Sequence, residues 1–250
     1  MKTNPLIIEN INKIQHRIQK ACAEANREVN EVKLLLATKT VSPENIKIAL
    51  SKEKLIGENK IQEIKEKFDS LSSITHQKHF IGHLQSNKIK DILKYNVTCI
   101  QSVDRLSLAE KLQKRLVHED KHIDILIQVN TSDEKSKFGI SPELAINLIR
   151  EIALFDRIHI KGLMTIGLFS SNDEEVRKCF KKLKQLQQKI ISENILNVQM
   201  HELSMGMSGD LEIAIKEGAT IIRVGTAIFG KRAYPDSYYW NENFDTSLKI

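Results

Sequence analysis

Lys39 directly follows the apolar run Leu34-Leu-Leu-Ala-Thr38. Such a run reads as a buried strand, and it would deliver the ε-amine of Lys39 to the edge of a core. Desolvation there disfavours the charged form, and an unprotonated amine is what attack on an aldehyde requires. By position alone, Lys39 is either this reactive amine or a lysine that ends a strand and pairs with an acid. Two later segments have the composition of an anion cradle. In Leu203-Ser-Met-Gly-Met-Ser-Gly-Asp210, Ser204 offers a hydroxyl, Gly206 permits close backbone approach, and Ser208 or Asp210 falls near a helix start. In Arg223-Val-Gly-Thr-Ala-Ile-Phe-Gly230, Gly225 and Thr226 add a backbone N–H and a second hydroxyl. Taken singly, each segment is also an ordinary turn.

Other chemistries fail on spacing. Gly225-x4-Gly230-Lys231 imitates a P-loop, but Arg232 stands where Ser or Thr must meet magnesium, which excludes nucleoside triphosphate hydrolysis. His79 and His83, read as one strand, are about 13 Å apart at ~3.3 Å per residue, too far for one metal. His201-Glu202 begins like a zinc protease motif, yet Met205 occupies the second ligand position. No metal site is expected. Cys22, Cys99 and Cys179 are far apart with no C-x-x-C pair, so neither a disulfide framework nor a zinc knuckle is expected, and a reducing cytoplasm fits.

The elements that must position Lys39 and the two cradles alternate regularly. Asn4-Pro5 has the residue types of an N-cap and first helical position, and Ile7, Ile11, Ile14 and Ile18 then mark an amphipathic opening helix. Strands are predicted at Leu34–Thr38, Leu55–Gly57, His79–His83, Thr98–Val103, Ile123–Asn130, Ile158–Thr165, Val198–Ser204 and Thr220–Val224. Helices are predicted near 43–52, 59–71, 86–94, 104–118, 141–153, 173–192 and 208–217. Eight short strands, each buried by a helix, imply a single α/β domain built as a closed (β/α)8 TIM barrel with an extra N-terminal helix. The barrel spans 1–232, and 233–250 is a tail rich in Tyr and Asn. Reactive groups in such barrels gather where the strands end. There the sequence places Lys39, Asn59, His83, Asp104, Asn130, Thr131, Met164, Thr165, Ser204, Gly206, Arg223, Gly225 and Thr226.

The net charge of +6 raises nucleic-acid binding as a class, but the lysines alternate with acids, as in Lys52-Glu-Lys54 and Glu63-Ile-Lys-Glu-Lys67. These read as solvated helix faces. Aromatics are only 5% of residues, so no stacking platform runs along the chain, and no nucleic-acid partner is expected. No segment has the apolar length of a membrane span or a signal peptide, which points to a cytoplasmic protein without a membrane partner.

Six motifs together carry a resemblance. They are Ala37-Thr-Lys-Thr40, Gly57-Glu-Asn-Lys-Ile-Gln-Glu63, His79-Phe-Ile-Gly-His-Leu-Gln-Ser-Asn-Lys88, Gly162-Leu-Met-Thr-Ile-Gly167, Leu203-Ser-Met-Gly-Met-Ser208 and Arg223-Val-Gly-Thr-Ala-Ile-Phe-Gly230. In this order they resemble the pyridoxal phosphate homeostasis protein family, from the first helix to Gly230. The resemblance implies the barrel of alanine racemase (fold type III among pyridoxal phosphate proteins) without its second domain. It also implies pyridoxal 5′-phosphate (PLP) held as a Schiff base on Lys39. Ser204, Gly225 and Thr226 match the family's phosphate-loop positions, and Arg223 matches the arginine facing the pyridine nitrogen. Asn59, His83 and Met164 match residues lining the ring. Departures are Thr38 for a frequent Ser, Phe138 for Ser, and Gly209 for Ala. The expected role is PLP homeostasis without catalytic residues or turnover, with apo PLP-dependent enzymes as recipients and a monomeric state. The alternative is a PLP-dependent amino-acid racemase. Lys137, in a polar loop after the fifth strand, is either a transient second acceptor of PLP or a surface lysine.

Overall fold

The computed structural model describes residues 5–230 except 133, 135, 136 and 169. The tail 233–250 lies outside the described residues, as does Asn4. Eight parallel strands close into a barrel in sequence order: β1 (Lys33–Ala37), β2 (Leu55–Glu58), β3 (Gln77–Phe80), β4 (Cys99–Val103), β5 (Ile123–Gln128), β6 (Ile158–Met164), β7 (Val198–Ser204) and β8 (Ile221–Val224). Between and around them run α1 (Pro5–Glu24), α2 (Pro43–Ala49), α3 (Ile61–Leu71), α4 (Ile89–Lys94), α5 (Leu106–Glu119), α6 (Pro142–Ile152), α7 (Asp173–Ser192), α8 (Leu211–Lys216) and α9 (Thr226–Phe229). The (β/α)8 expectation holds, and α9 is a single turn that the sequence pattern did not disclose.

Period-two alternation divides each strand between two cores. Leu35, Leu55, Cys99, Leu126, Met164 and Ile221 point inward and fill the barrel. Leu34, Leu36, Ile56, Ile100, Ile222 and Val224 point outward beneath the helices. In β1 the rule continues past the strand end: Leu35 is inside, Ala37 lines the cavity described below, and Lys39 follows on the same side. Thr38, on the other side, is fully buried toward the helix layer.

α1 buries Ile7, Ile11, Ile14 and Ile18 as its spacing predicts, and it packs on α2, α8 and α9. It also ties down the loops after β7 and β8. Arg17 makes a bidentate pair with Glu212 (2.6 and 2.8 Å) and donates to the Ser208 carbonyl at 3.1 Å, while the Asn10 amide donates to the Ile228 carbonyl at 3.0 Å.

Two expectations are corrected. β3 runs Gln77–Phe80 rather than His79–His83. It begins on polar residues because Lys78 lays its stem in the wall and caps the Tyr95 carbonyl at 2.9 Å, which a hydrophobic pattern does not register. It ends early because Gly82 presses on the Asn59 backbone, where a Cβ would lie 2.1 Å from the carbonyl oxygen. His83 is therefore in a βα loop and shares no strand with His79. The second correction concerns Lys67, predicted on a solvated face but only 7% exposed, with its ammonium inside an ion cluster.

Candidate functional site

At the C-terminal mouth of the barrel is a cavity of about 600 Å³, within the size range of small-molecule sites. Lys39 enters from the loop after β1, Asn59 from that after β2, and Met164 from the end of β6. Arg223 comes from β8, with Gly225 and Thr226 just beyond it. Ala37, Ile81, Met164 and Ile166 supply apolar wall, and Ser208, Gly209 and Asp210 supply the rim beside Thr226. Six of the nine residues singled out from the sequence thus line one space: Lys39, Asn59, Met164, Arg223, Gly225 and Thr226.

The other three lie around it. Ser204 is fully buried, and its hydroxyl is committed: it accepts from Arg223 Nη1 at 2.8 Å and donates to Gln101 Oε1 at 2.6 Å. It supports the guanidinium from below instead of facing the cavity. Gly206 has a φ of +89°, and a Cβ there would sit 2.4 Å from Ala214 Cβ. The close approach it permits is thus to α8. His83 stacks on Phe138 with ring centroids 4.0 Å apart, and its Nδ1 is 4.0 Å from Asp104 Oδ2.

The loops after β7 and β8 do meet, as the cradle requires: Thr226 Oγ1 and Ser208 Oγ are 3.4 Å apart. Thr226 and Ala227 open α9, where N–H groups have no intrahelical acceptor. Asp210 immediately precedes α8, and its carboxylate turns back to accept the Met207 N–H at 2.5 Å; burial pushes this carboxyl up from the ordinary range. Arg223 is held by Ser204 and by the Thr165 carbonyl, 2.8 Å from Nη2. Burial lowers its pKa to about 10, leaving it cationic at neutral pH. Gln101 Nε2 continues the chain to His79 Nδ1 at 2.8 Å, and burial holds His79 down at about 4, hence neutral. Lys137, the second amine considered, donates to the Gly167 carbonyl at 2.7 Å and pairs with Glu134 at 2.9 Å, beside the loop that carries Ile166 and Leu168.

Sequence reasoning missed Gln101, Thr165's carbonyl, Ile81 and Ile166. Gln101 had a usable signal, a large polar side chain inside an otherwise buried strand. The bonding role of a backbone carbonyl leaves no trace in a sequence.

A PLP-sized ligand suits this donor set. An amine faces a rim that can take phosphate, the wall between is apolar, and a buried guanidinium closes the floor. Asn59 Oδ1 is also buried without a hydrogen-bond partner among the described residues, an acceptor that a polar group of a ligand would satisfy.

Comparison with known proteins agrees with this geometry. The family model for the alanine racemase N-terminal domain matches residues 10–233. The PLP-bound structure of PipY from Synechococcus elongatus superposes with a TM-score of 0.76 at 27% identity, covering 86% of this chain and all of that one. An alanine racemase from Clostridium difficile, at 15% identity and a TM-score of 0.69, shares the fold; this chain covers 57% of it. The pyridoxal phosphate homeostasis protein of Aquifex aeolicus is 42% identical over 90% of this chain and 98% of its own length. With that identity over nearly the whole of both sequences, the chain belongs to the pyridoxal phosphate homeostasis protein family.

Proposed function

We propose that this protein binds PLP in the mouth cavity and holds it on Lys39 as part of PLP homeostasis, without turning over a substrate. The observation that carries the reading is the convergence of Lys39, Arg223 and the paired Ser208–Thr226 loops on one cavity. The PLP-bound PipY structure and the name shared by the curated relatives support it. Lys39 supplies the amine: its nitrogen forms a C=N bond with the aldehyde carbon, and the aldehyde oxygen leaves as water. Gly225, Thr226 and Ser208 would take the phosphate, and Asn59 and Met164 would border the ring. His83, through its stack on Phe138, shapes the loop beyond them.

When bound, PLP supplies an aldehyde and a ring able to withdraw electrons once its nitrogen is protonated. Arg223 works against that protonation. A guanidinium has only N–H donors, so a ring nitrogen beside it accepts a hydrogen bond and stays unprotonated. This favours holding over racemase chemistry.

Apo PLP-dependent enzymes as recipients, a monomeric state and a cytoplasmic location complete the proposal. No helix among the described residues is long and apolar enough to cross a membrane, and the three cysteines are buried thiols. Borohydride reduction of the PLP-loaded protein, followed by peptide mapping, is expected to place the pyridoxyl group on Lys39; label found only elsewhere sinks the assignment. Incubation with L-amino acids in deuterated water is expected to give no α-proton exchange at a catalytic rate. Rapid exchange would restore the racemase alternative.

A further inference from the structure

Behind the wall that carries Lys39 is a buried ion cluster with no contact to the cavity. Glu58 ends β2 on the outer side of the barrel, and Lys67 and Glu63 reach it from one face of α3. Lys67 Nζ donates to Glu58 Oε1 at 2.8 Å and to Glu63 Oε2 at 2.7 Å. It also donates to the Thr38 carbonyl at 2.8 Å, and the Thr38 hydroxyl donates to Glu58 Oε1 at 2.7 Å. On the far side of Lys39, the Thr40 N–H donates to Glu63 Oε2 at 2.5 Å. The cluster thus grips the residue before Lys39 and the residue after it.

What it grips is an unfavourable turn. Thr40 has a φ of +64°, a left-handed conformation that a β-branched residue rarely adopts. Such a conformation persists only where its surroundings over-determine it, and it recurs at functional sites. A buried ion cluster, for its part, stabilises a fold weakly compared with apolar packing of the same volume. Each feature accounts for the other if the cluster serves the turn. The turn also sits directly beside the amine: strand alternation already sends Thr38 to the helix layer and Lys39 to the cavity, and the left-handed Thr40 then turns the chain away at the very next residue.

We propose that Glu58, Lys67 and Glu63 are positioning residues for Lys39, fixing the Thr38–Thr40 turn so that the amine meets its aldehyde in one orientation. The proposal rests on the reading of Lys39 as the PLP-binding amine. It adds that capture by this amine depends on three ionisable side chains that do not line the cavity.

The test uses the full chain, stripped of cofactor and mixed with PLP, following growth of the visible Schiff-base absorbance. Glu63→Ala removes the acceptor of the Thr40 N–H at a partly exposed position. It is expected to slow capture about ten-fold or more, since misplacement of a reacting group is costly, while thermal unfolding moves by only a few degrees. Glu63→Gln keeps an oxygen at the same place and is expected to restore most of the rate. Lys67→Met is expected to slow capture at least as much; if it does not fold, the Glu63 pair decides alone. Capture by Glu63→Ala at the wild-type rate, or by Glu63→Gln as slowly as by Glu63→Ala, overturns the positioning role and leaves Lys39 in place. Wild-type protein that shows no absorbance and no borohydride label on Lys39 overturns the PLP reading itself.

Discussion

Ser204→Ala separates two roles for one hydroxyl. As a phosphate ligand, Ser204 would matter to the loaded protein and little to the empty one. The structure instead has it accepting from the Arg223 guanidinium at 2.8 Å and donating to Gln101 at 2.6 Å, in a fully buried position. Alanine removes both bonds and leaves a buried cation short of one acceptor. A hydrogen bond to a charged group is worth roughly 1.5–3 kcal/mol and a neutral one roughly 1 kcal/mol. The variant should therefore lose about 3 kcal/mol in the absence of PLP, measured by equilibrium urea unfolding of cofactor-free protein. Thr226→Ala, at an exposed hydroxyl on the cavity rim, should change the same measurement by less than about 0.5 kcal/mol and weaken PLP retention instead. If Ser204→Ala unfolds at the wild-type urea concentration when empty but releases PLP readily, the inward role assigned to Ser204 is wrong and the sequence-based phosphate role stands.

The two glycines of the loop after β7 should behave oppositely. Gly206→Ala combines positive φ with a Cβ 2.4 Å from Ala214 Cβ and is expected to cost about 2 kcal/mol or more, whereas nothing lies within 4 Å of a Cβ at Gly209, so Gly209→Ala should be nearly neutral. Equal melting shifts for the two would contradict the packing described. Glu58 should give stability a pH dependence. Burial, opposed by Lys67, pushes its carboxyl up from 4.5 to about 7, so the neutral form is the one the fold favours. Its contribution is then full below pH 4.5 and is lost as pH rises through about 7. Glu58→Gln fixes the neutral state and can keep an oxygen for Thr38 and Lys67, so its melting temperature relative to wild type should climb between about pH 4.5 and 7 and level off above that. A constant difference over that range would refute the shift.

The barrel was legible in the sequence because its strands are buried on both faces and its helices on one, which gives apolar runs alternating with helical periodicity. Leu34–Leu36 and Ile7–Ile18 show this plainly. The element edges were not. β3 starts on the exposed Gln77 and on Lys78, a lysine whose burial depends on the Tyr95 carbonyl 17 residues away. Six cavity residues were legible because strand ends in a (β/α)8 barrel face one mouth, so position along the chain stands in for position in space. Ser204 and Gly206 were read from the same positions, but which way a residue turns at a strand end depends on its partners. Glu63-Ile-Lys-Glu-Lys67 shows the limit most clearly. Its i,i+4 spacing is that of a surface ion pair, and only the arrival of Glu58 and Thr38 from neighbouring strands makes Lys67 a buried centre.

The chain beneath the cavity has a direction, which bears on holding against turnover. Arg223 can only donate, so Ser204 accepts from it and must spend its one proton on Gln101 Oε1. Gln101 then presents its NH2 to His79, which accepts through Nδ1 and carries its own proton on Nε2. Reversing any link would require a guanidinium to accept, so rotating the Gln101 amide or moving the His79 proton breaks the series. His79, neutral because burial keeps its pKa near 4, has no charge with which to drive a reversal. Arg223 is thereby fixed as a cation, about three pH units below its own pKa at neutral pH. A ring nitrogen set beside it meets a donor that does not give up its proton. If PLP sits as proposed, with its ring nitrogen at Arg223, the elements that hold Arg223 in place are also the ones that would keep the cofactor poor at withdrawing electrons, and a site built this way would store an aldehyde better than activate one.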